Sequence, residues 1–202
     1  MSKKQQRSRG NSAHLQKIYG SQNFLTSRRL LERIVRKSTI TKKDIVLEIG
    51  TGKGHVTEVL CNKAKYVYSV EIDRKLFERA TERLKMERNV KMILGDFLNY
   101  PLPKRRYKVF ANIPYYITTE IVKKLTEDAH PPSEMWLVME KGAAKRFLGR
   151  PNETKYSLAL KRRWKLDIGY YFLKEDFHPK PSVDSVLLHF QQRDRKNLSS
   201  KN

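Results

Sequence analysis

Asp44-Ile45-Val46-Leu47-Glu48-Ile49-Gly50-Thr51-Gly52-Lys53-Gly54-His55 runs a β-branched apolar segment into a turn with glycine at every second position. Val56, Val59 and Leu60 follow at helical spacing. Strand, glycine-rich turn and helix in this order open a nucleotide-binding α/β unit. The glycines let the backbone approach a ligand, and a helix N-terminus follows directly. The turn matches neither common phosphate-binding fingerprint. Counted from Gly52, the third glycine of the dinucleotide motif falls on His55, and Gly52-Lys53 leads into Gly54 where a Walker loop needs Ser or Thr. Glu48, inside the strand, would repel a pyrophosphate but attract an ammonium group. An α/β crossover without a ligand is the purely structural reading of the same stretch.

Downstream, Tyr66-Val67-Tyr68-Ser69-Val70-Glu71-Ile72-Asp73 reads as a second buried strand ending in carboxylates. Glu71 stands about twenty residues past the turn, where such folds place the acid that binds ribose hydroxyls. Acid, glycine turn and second acid suit S-adenosylmethionine, a nucleoside carrying a sulfonium and an amino acid. Leu76, Phe77, Ala80 and Leu84 predict a helix from Arg74 to about Arg88, followed by a strand Val90 to Leu94. Asp96 then either accepts from an adenine amine or caps a turn.

After Pro101, Pro103 and the basic run Lys104-Arg105-Arg106 comes Val109-Phe110-Ala111-Asn112-Ile113-Pro114-Tyr115-Tyr116. Here an apolar strand ends on an amide, a proline-fixed turn and two tyrosines. Pro114 fixes its own φ and biases Ile113 towards extended geometry, which gives the Ile113 carbonyl a defined direction. Amide oxygen, aimed carbonyl and ring face suit a planar, amine-bearing ring such as adenine. A strand ending in a turn with core tyrosines is the alternative. Four strand ends thus line one carboxyl edge, the usual ligand site of an open α/β sheet.

The 202 residues suffice for one α/β domain with a sizeable core. Lys+Arg number 43 against 21 Asp+Glu, a net charge of +22 that points to a polyanion, nucleic acid before an anionic membrane. No apolar run approaches a membrane span and the N-terminus lacks a secretory apolar core, so the simplest location is cytoplasmic. Cys61 is the single cysteine, which excludes an internal disulfide. It reads as an inert helix residue, and no Cys/His cluster has zinc spacing, so no metal is expected.

Residues 1–16 form a polar, basic arm, expected to be flexible, that serves either solubility or RNA contact. Before a helix with Leu30, Leu31, Ile34 and Val35 as its apolar stripe, Ser27 is the expected N-cap. Residues 1–43 hold twelve Lys/Arg and one acid, and residues 141–165 nine Lys/Arg and one acid. Such asymmetry favours phosphate-facing surfaces. Trp164, among Leu158, Leu160 and Leu166, reads as core more than as a base platform.

Gln22-Asn23-Phe24-Leu25, Glu48 to His55, Glu71-Ile72-Asp73, Gly95-Asp96, Asn112-Ile113-Pro114-Tyr115 and Thr118-Thr119 stand in one order. Glu140-Lys141-Gly142-Ala143-Ala144-Lys145-Arg146 and Phe177-His178-Pro179-Lys180-Pro181-Ser182-Val183 follow. From Tyr19 to Phe190 the chain resembles the Erm family of 23S rRNA adenine N6-methyltransferases, which confer macrolide, lincosamide and streptogramin B resistance. The related small-subunit rRNA adenine dimethyltransferases of the KsgA type share the Asn-(Leu/Ile)-Pro-Tyr signature but typically carry Gly-Pro-Gly in the turn. Gly52-Lys53-Gly54-His55 and the Lys141 to Arg146 run lean towards Erm.

The resemblance implies a Rossmann-like class I S-adenosylmethionine-dependent methyltransferase, with a mostly parallel seven-stranded sheet and a C-terminal antiparallel hairpin. It implies that Gly50 and Gly52 pass under the methionine part of the cofactor with Glu48 nearby, and that Glu71 with Ile72 holds the ribose. Asp96 and Phe97 would take the adenine end, and Gln22, Asn23 and Leu25 would close over the entrance. Asn112 and the Ile113 carbonyl, set by Pro114, would accept from the target N6 amine, with Tyr115 and Phe177 stacking on the flipped base. His55 and His178 are read as structural. The implied partner is 23S rRNA, naked or in immature ribosomal particles, bound through residues 1–43 and 141–165 by a monomer. Residues 17–191 would be the catalytic domain, and 192–202 a basic tail where the family's helical C-terminal domain would begin. A KsgA-type enzyme, a methyltransferase of DNA adenine, or a non-catalytic RNA-binding module of the same fold are the competing readings.

Overall fold

Val46, Leu47, Glu48 and Ile49 are all buried, so the strand they form, β2 (Ile45–Ile49), is covered on both faces. The computed structural model describes residues 23–193. Gln22, the 1–16 arm and residues 194–202 lie outside the described residues.

A short strand β1 (Phe24–Leu25) leads to helix α1 (Arg28–Lys37), whose N-cap is Ser27, accepting from Leu30 N. The expected stripe of Leu30, Leu31, Ile34 and Val35 is its buried face. The chain then alternates β2, α2 (His55–Lys63), β3 (Tyr66–Glu71), α3 (Arg74–Arg83), β4 (Val90–Leu94), β5 (Lys108–Asn112), α4 (Thr118–Glu127) and β6 (Glu134–Glu140). Helices α5 (Lys141–Phe147) and α6 (Lys155–Arg163) precede β7 (Trp164–Phe172), β8 (Phe177–His178) and β9 (Ser185–Gln192).

Seven strands form one sheet in the order β4-β3-β2-β5-β6-β9-β7. The first five are parallel, and β9 runs antiparallel to both its neighbours. The sheet is therefore mostly parallel with a reversed last strand, as the resemblance implied. That last strand lies between β6 and β7 instead of at the edge. A separate two-stranded ladder pairs β1 with β8, Leu25 opposite Phe177.

Strand alternation divides the core in two. Leu47, Val109, Ala111, Leu137 and Leu188 face the layer of α4, α5 and α6. Val46, Phe110, Trp136, Val138 and Leu187 face α1 and α2. Glu58 of α2 takes Arg28 of α1 at 2.8 Å and Arg83 of α3 at 2.7 Å, tying the three helices of that layer together.

Two expectations shift. Helix α3 stops at Arg83, short of Arg88. Leu84 is buried at its cap, and Asn89 donates to the Cys61 and Ala64 carbonyls, which turns the chain into β4. The last strand runs from Ser185 to Gln192, whose N–H meets the Ser133 carbonyl. A boundary after residue 191 therefore cuts a paired strand. Trp164 is fully buried, and Cys61, 2% exposed, has its thiol pushed up to about 12 by burial. Among the described residues no helix is long and apolar enough to cross a membrane, and no His/Cys/Asp/Glu group could hold a metal ion.

At the amino edge of the sheet, the buried Lys108 ammonium donates to the Thr39 carbonyl at 2.8 Å and lies 3.2 Å from Asp44 and 3.4 Å from Glu134. Removing it strands two carboxylates in a poorly solvated place. Lys108→Met should lower unfolding free energy by about 3 kcal/mol, read from urea denaturation.

Candidate active site

The carboxyl ends of β2, β3 and β5, the turn after β4, and β1 from across the sheet enclose a single cleft. Its glycine turn is built by backbone bonds: Gly50 N–H donates to Val70 O at 2.9 Å, and Gly54 N–H to Thr51 O at 3.0 Å. Gly52 has φ +57°, and a Cβ there would lie 2.8 Å from the Phe24 ring. Any side chain at this position would meet both backbone strain and the ring. Phe24 in turn carries the Lys53 ammonium 5.0 Å from its centroid.

Glu71 ends β3 with both oxygens engaged, Oε2 accepting from Gly52 N–H and Oε1 from Asp73 N–H, each at 2.8 Å. Burial raises its pKa, partly offset by these bonds. Asp96 caps a single 3-10 turn, Phe97–Asn99, by accepting from Leu98 N–H and Asn99 Nδ2, both at 2.9 Å. It also faces the cleft. Each carboxylate oxygen has a second lone pair, so capping leaves acceptor capacity for an incoming amine.

On the other side, Asn112 ends β5 and donates Nδ2 to the Asn23 carbonyl at 2.7 Å. Spending this donor fixes which end of the amide is which and leaves Oδ1 as its acceptor end. The next peptide is anchored by Ile113 N–H to Val138 O at 3.2 Å, and Pro114 has φ −62°. Tyr115 opens a 3-10 turn, Tyr115–Ile117, and its hydroxyl meets Ser185 Oγ of β9 at 2.6 Å. Burial raises the phenol's pKa, so it stays protonated and the ring is held at its far end.

Of the residues expected at the site, Asn23, Leu25, Gly50, Gly52, Glu71, Ile72, Asp96, Phe97, Asn112, Ile113, Pro114 and Tyr115 line this one cleft. Gln22 lies outside the described residues. Two others are elsewhere. The pleat turns Glu48 towards α2, where Oε2 accepts from Thr57 and Ser69 at 2.7 and 2.6 Å and Oε1 has no partner. Burial, with repulsion from Glu71 adding, pushes its pKa up to about 8. Phe177, expected over the flipped base, is 3% exposed and packs on Phe172 at 5.3 Å. Its pairing with Leu25 faces the ring into the core, so it supports β1 from behind. Phe24, Lys53, His55 and Tyr116 line the cleft without having been singled out for it. Phe24 and Tyr116 sat inside quoted motifs, and adjacency to Asn23 and Tyr115 was the available signal.

A parallel sheet with a reversed last strand, a glycine turn facing an acid at the end of β3, and a second cleft wall of Asn-Ile-Pro-Tyr define an S-adenosylmethionine-dependent methyltransferase. The cleft fits that cofactor: the Gly52 position admits no side chain, Glu71 and Asp96 supply acceptors, and Phe97 and Val70 supply apolar walls. The chain belongs to the ribosomal RNA adenine dimethylase family, whose pattern matches residues 13–202. It is 41% identical over 172 residues to an rRNA adenine N-6-methyltransferase of Enterococcus faecalis, covering 83% of this chain and 68% of that one. One from Bacillus licheniformis is 38% identical over 184 residues, covering 91% and 64%. Among solved structures, 23S rRNA methyltransferase ErmE superposes with TM-score 0.79 at 27% identity, covering 85% of this chain and 70% of that one. A Plasmodium falciparum dimethyladenosine transferase gives 0.78 at 28% identity, covering 88% and 66%. The chain thus spans about two thirds of the length of these relatives.

Glu48 makes stability depend on pH. The folded protein keeps a proton that the unfolded chain releases above the ordinary carboxylate range, so stability falls as pH rises from there to about 8. In calorimetry without cofactor, the Tm of Glu48→Gln should gain on that of the parent steadily between pH 5 and pH 8.

Proposed function

We propose that this chain methylates N6 of an adenine in the peptidyl-transferase region of 23S rRNA and thereby gives macrolide, lincosamide and streptogramin B resistance. The observation that carries the reading is the Asn112 amide, oriented by its bond to Asn23 at the end of β5, with Ile113, Pro114 and Tyr115 beside it in the cleft. Support for the 23S target comes from the Gly52-Lys53-Gly54-His55 turn and the likeness to ErmE. The comparable likeness to a dimethyladenosine transferase supports the small-subunit RNA as the second reading.

When bound, S-adenosyl-L-methionine supplies an electrophilic methyl group on a sulfonium. The residues act on the other reactant. An exocyclic adenine amine is a poor nucleophile because its lone pair is delocalised into the ring. Asn112 Oδ1 and the Ile113 carbonyl accept its two hydrogens, which favours a pyramidal nitrogen with its lone pair directed across the cleft. Tyr115, held by Ser185, offers a ring face to the base. Positioning and preorganised dipoles then do most of the work. No general base is required, since the amine becomes acidic only as the new bond forms. His55 has its pKa lowered by burial, with Arg83 and Lys53 adding, and is assigned no proton transfer.

The base must leave its stack at a cost of roughly a few kcal/mol. RNA phosphates would be met by α1, whose Arg28, Arg29, Arg33, Arg36 and Lys37 are exposed. Arg29, Arg33 and Arg36 line a groove there with Ser27 and Asp176. Arg33 and Lys37 also flank the Tyr170 ring at 5.1 and 5.7 Å. Residues 141–165 supply the second basic surface.

Labelled-methyl incorporation into protein-free 23S RNA, 16S RNA and duplex DNA tests the substrate, and primer extension then locates the modified adenine. Label in 23S RNA alone is expected; label in 16S RNA alone would give the chain to the second reading. Asn112→Ala should cut kcat by about 100-fold with the cofactor Kd nearly unchanged. Equal loss of both would reduce Asn112 to a structural clip on Asn23.

A further inference from the structure

Tyr171 is the feature of this sheet edge that the cleft does not use. It is 59% exposed, next to the last residue of β7. Its orientation comes from a β-bulge: Ile168 pairs with Leu188 and Tyr170 with Leu187, so Gly169 is one residue extra. Before the bulge, Leu166 and Ile168 pack against the α4–α6 side. After it, Tyr170 and Phe172 pack against the α1–α2 side, which leaves Tyr171 on the α5 face. There Lys141 Nζ lies 6.0 Å from its ring centroid and 3.2 Å from Asp184 Oδ2, and Lys141 N–H donates to the Asp184 carbonyl at 2.8 Å.

This group adjoins the target wall of the cleft through consecutive residues. Ser185, which holds the Tyr115 hydroxyl, pairs with Glu140 in β6 and with Phe172 in β7. Lys141 follows Glu140, Asp184 precedes Ser185, and Tyr171 precedes Phe172. The exposed ring and its ammonium therefore stand at the same carboxyl edge as Tyr115, one strand step from the Ser185 that holds its hydroxyl.

We propose that Tyr171 and Lys141 form a subsite for the RNA nucleotide flanking the target adenine, with its base on the Tyr171 ring and its phosphate at Lys141. The inference rests on the reading of the cleft as an RNA adenine methyltransferase site. An exposed aromatic face beside a cation is the arrangement that takes unstacked bases, because every base has a π-face. A base flipped into a pocket leaves its neighbours unstacked on one side, and a ring at the rim restores part of that stacking. The chain's net charge of +22 matches a polyanionic occupant. The Lys141–Asp184 pair is largely solvated, with side chains 37% and 60% exposed, so a phosphate can draw the ammonium away at little cost.

The test measures RNA affinity and turnover on a short hairpin containing the methylated adenine, for the parent, Tyr171→Ala and Tyr171→Phe. Two further hairpins carry an abasic residue immediately 5′ or 3′ of that adenine. Tyr171→Ala should weaken RNA binding roughly five- to a hundredfold, with Tyr171→Phe near the parent and the cofactor Kd unmoved. On one of the two abasic hairpins, the parent and Tyr171→Ala should bind alike. If Tyr171→Ala binds the intact hairpin as the parent does, or its deficit persists on both abasic hairpins, the subsite is overturned and the ring belongs to solvent or to a protein contact. Failure of the parent to label any RNA would overturn the cleft reading itself, and this proposal with it.

Discussion

The 2.7 Å bond from Asn112 Nδ2 to the Asn23 carbonyl holds together two halves of the cleft that are otherwise far apart in sequence. An amide flip would bring two oxygens together, so the bond fixes the polarity of the group at the end of β5. It also seats β1, a strand of two residues whose ladder partner is the equally short β8. With β1 in place, the Phe24 ring covers Gly52 and the glycine turn closes under it. The glycine-turn wall and the Asn112 wall therefore share one cover, and neither can be repositioned without the other.

The two edges of the sheet treat charge in opposite ways. At the amino edge, the buried Lys108 meets a carbonyl and two carboxylates, and its polar capacity is spent within the fold. At the carboxyl edge capacity is left over. Asp96 uses one lone pair on each oxygen for its cap and faces the cleft with the rest. Half-buried acceptors of this kind reward a ligand that brings donors.

Much of this was legible in the residues. Strands β2, β3 and β4 are apolar runs bounded by glycine or acid, and strand ends along one edge define the cleft of any such sheet. What local pattern could not provide was facing. Glu48 and Gly50 are two residues apart, yet the pleat turns the acid to α2 while the turn carries the glycine to the cleft. Phe177 lies in a two-residue strand, too short for periodicity, and only its pairing with Leu25 determines that it points inward. The end of α3 was equally hidden, because Lys85 to Arg88 are good helix formers. The Asn89 side chain, anchored on carbonyls about 25 residues earlier in the chain, overrides them.

The extra residue at Gly169 makes the two halves of β7 independent. Its first half is committed to the inner packing of the sheet, whereas its second half presents alternate side chains to two separate surfaces, Tyr170 to the arginines of α1 and Tyr171 to α5. After the bulge only Tyr171 stands clear of that packing, since Phe172 is buried against Phe177 and Tyr170 packs on Phe172. The Tyr171 side chain can therefore vary while the strand register and the Phe172–Phe177 packing behind β1 stay as they are.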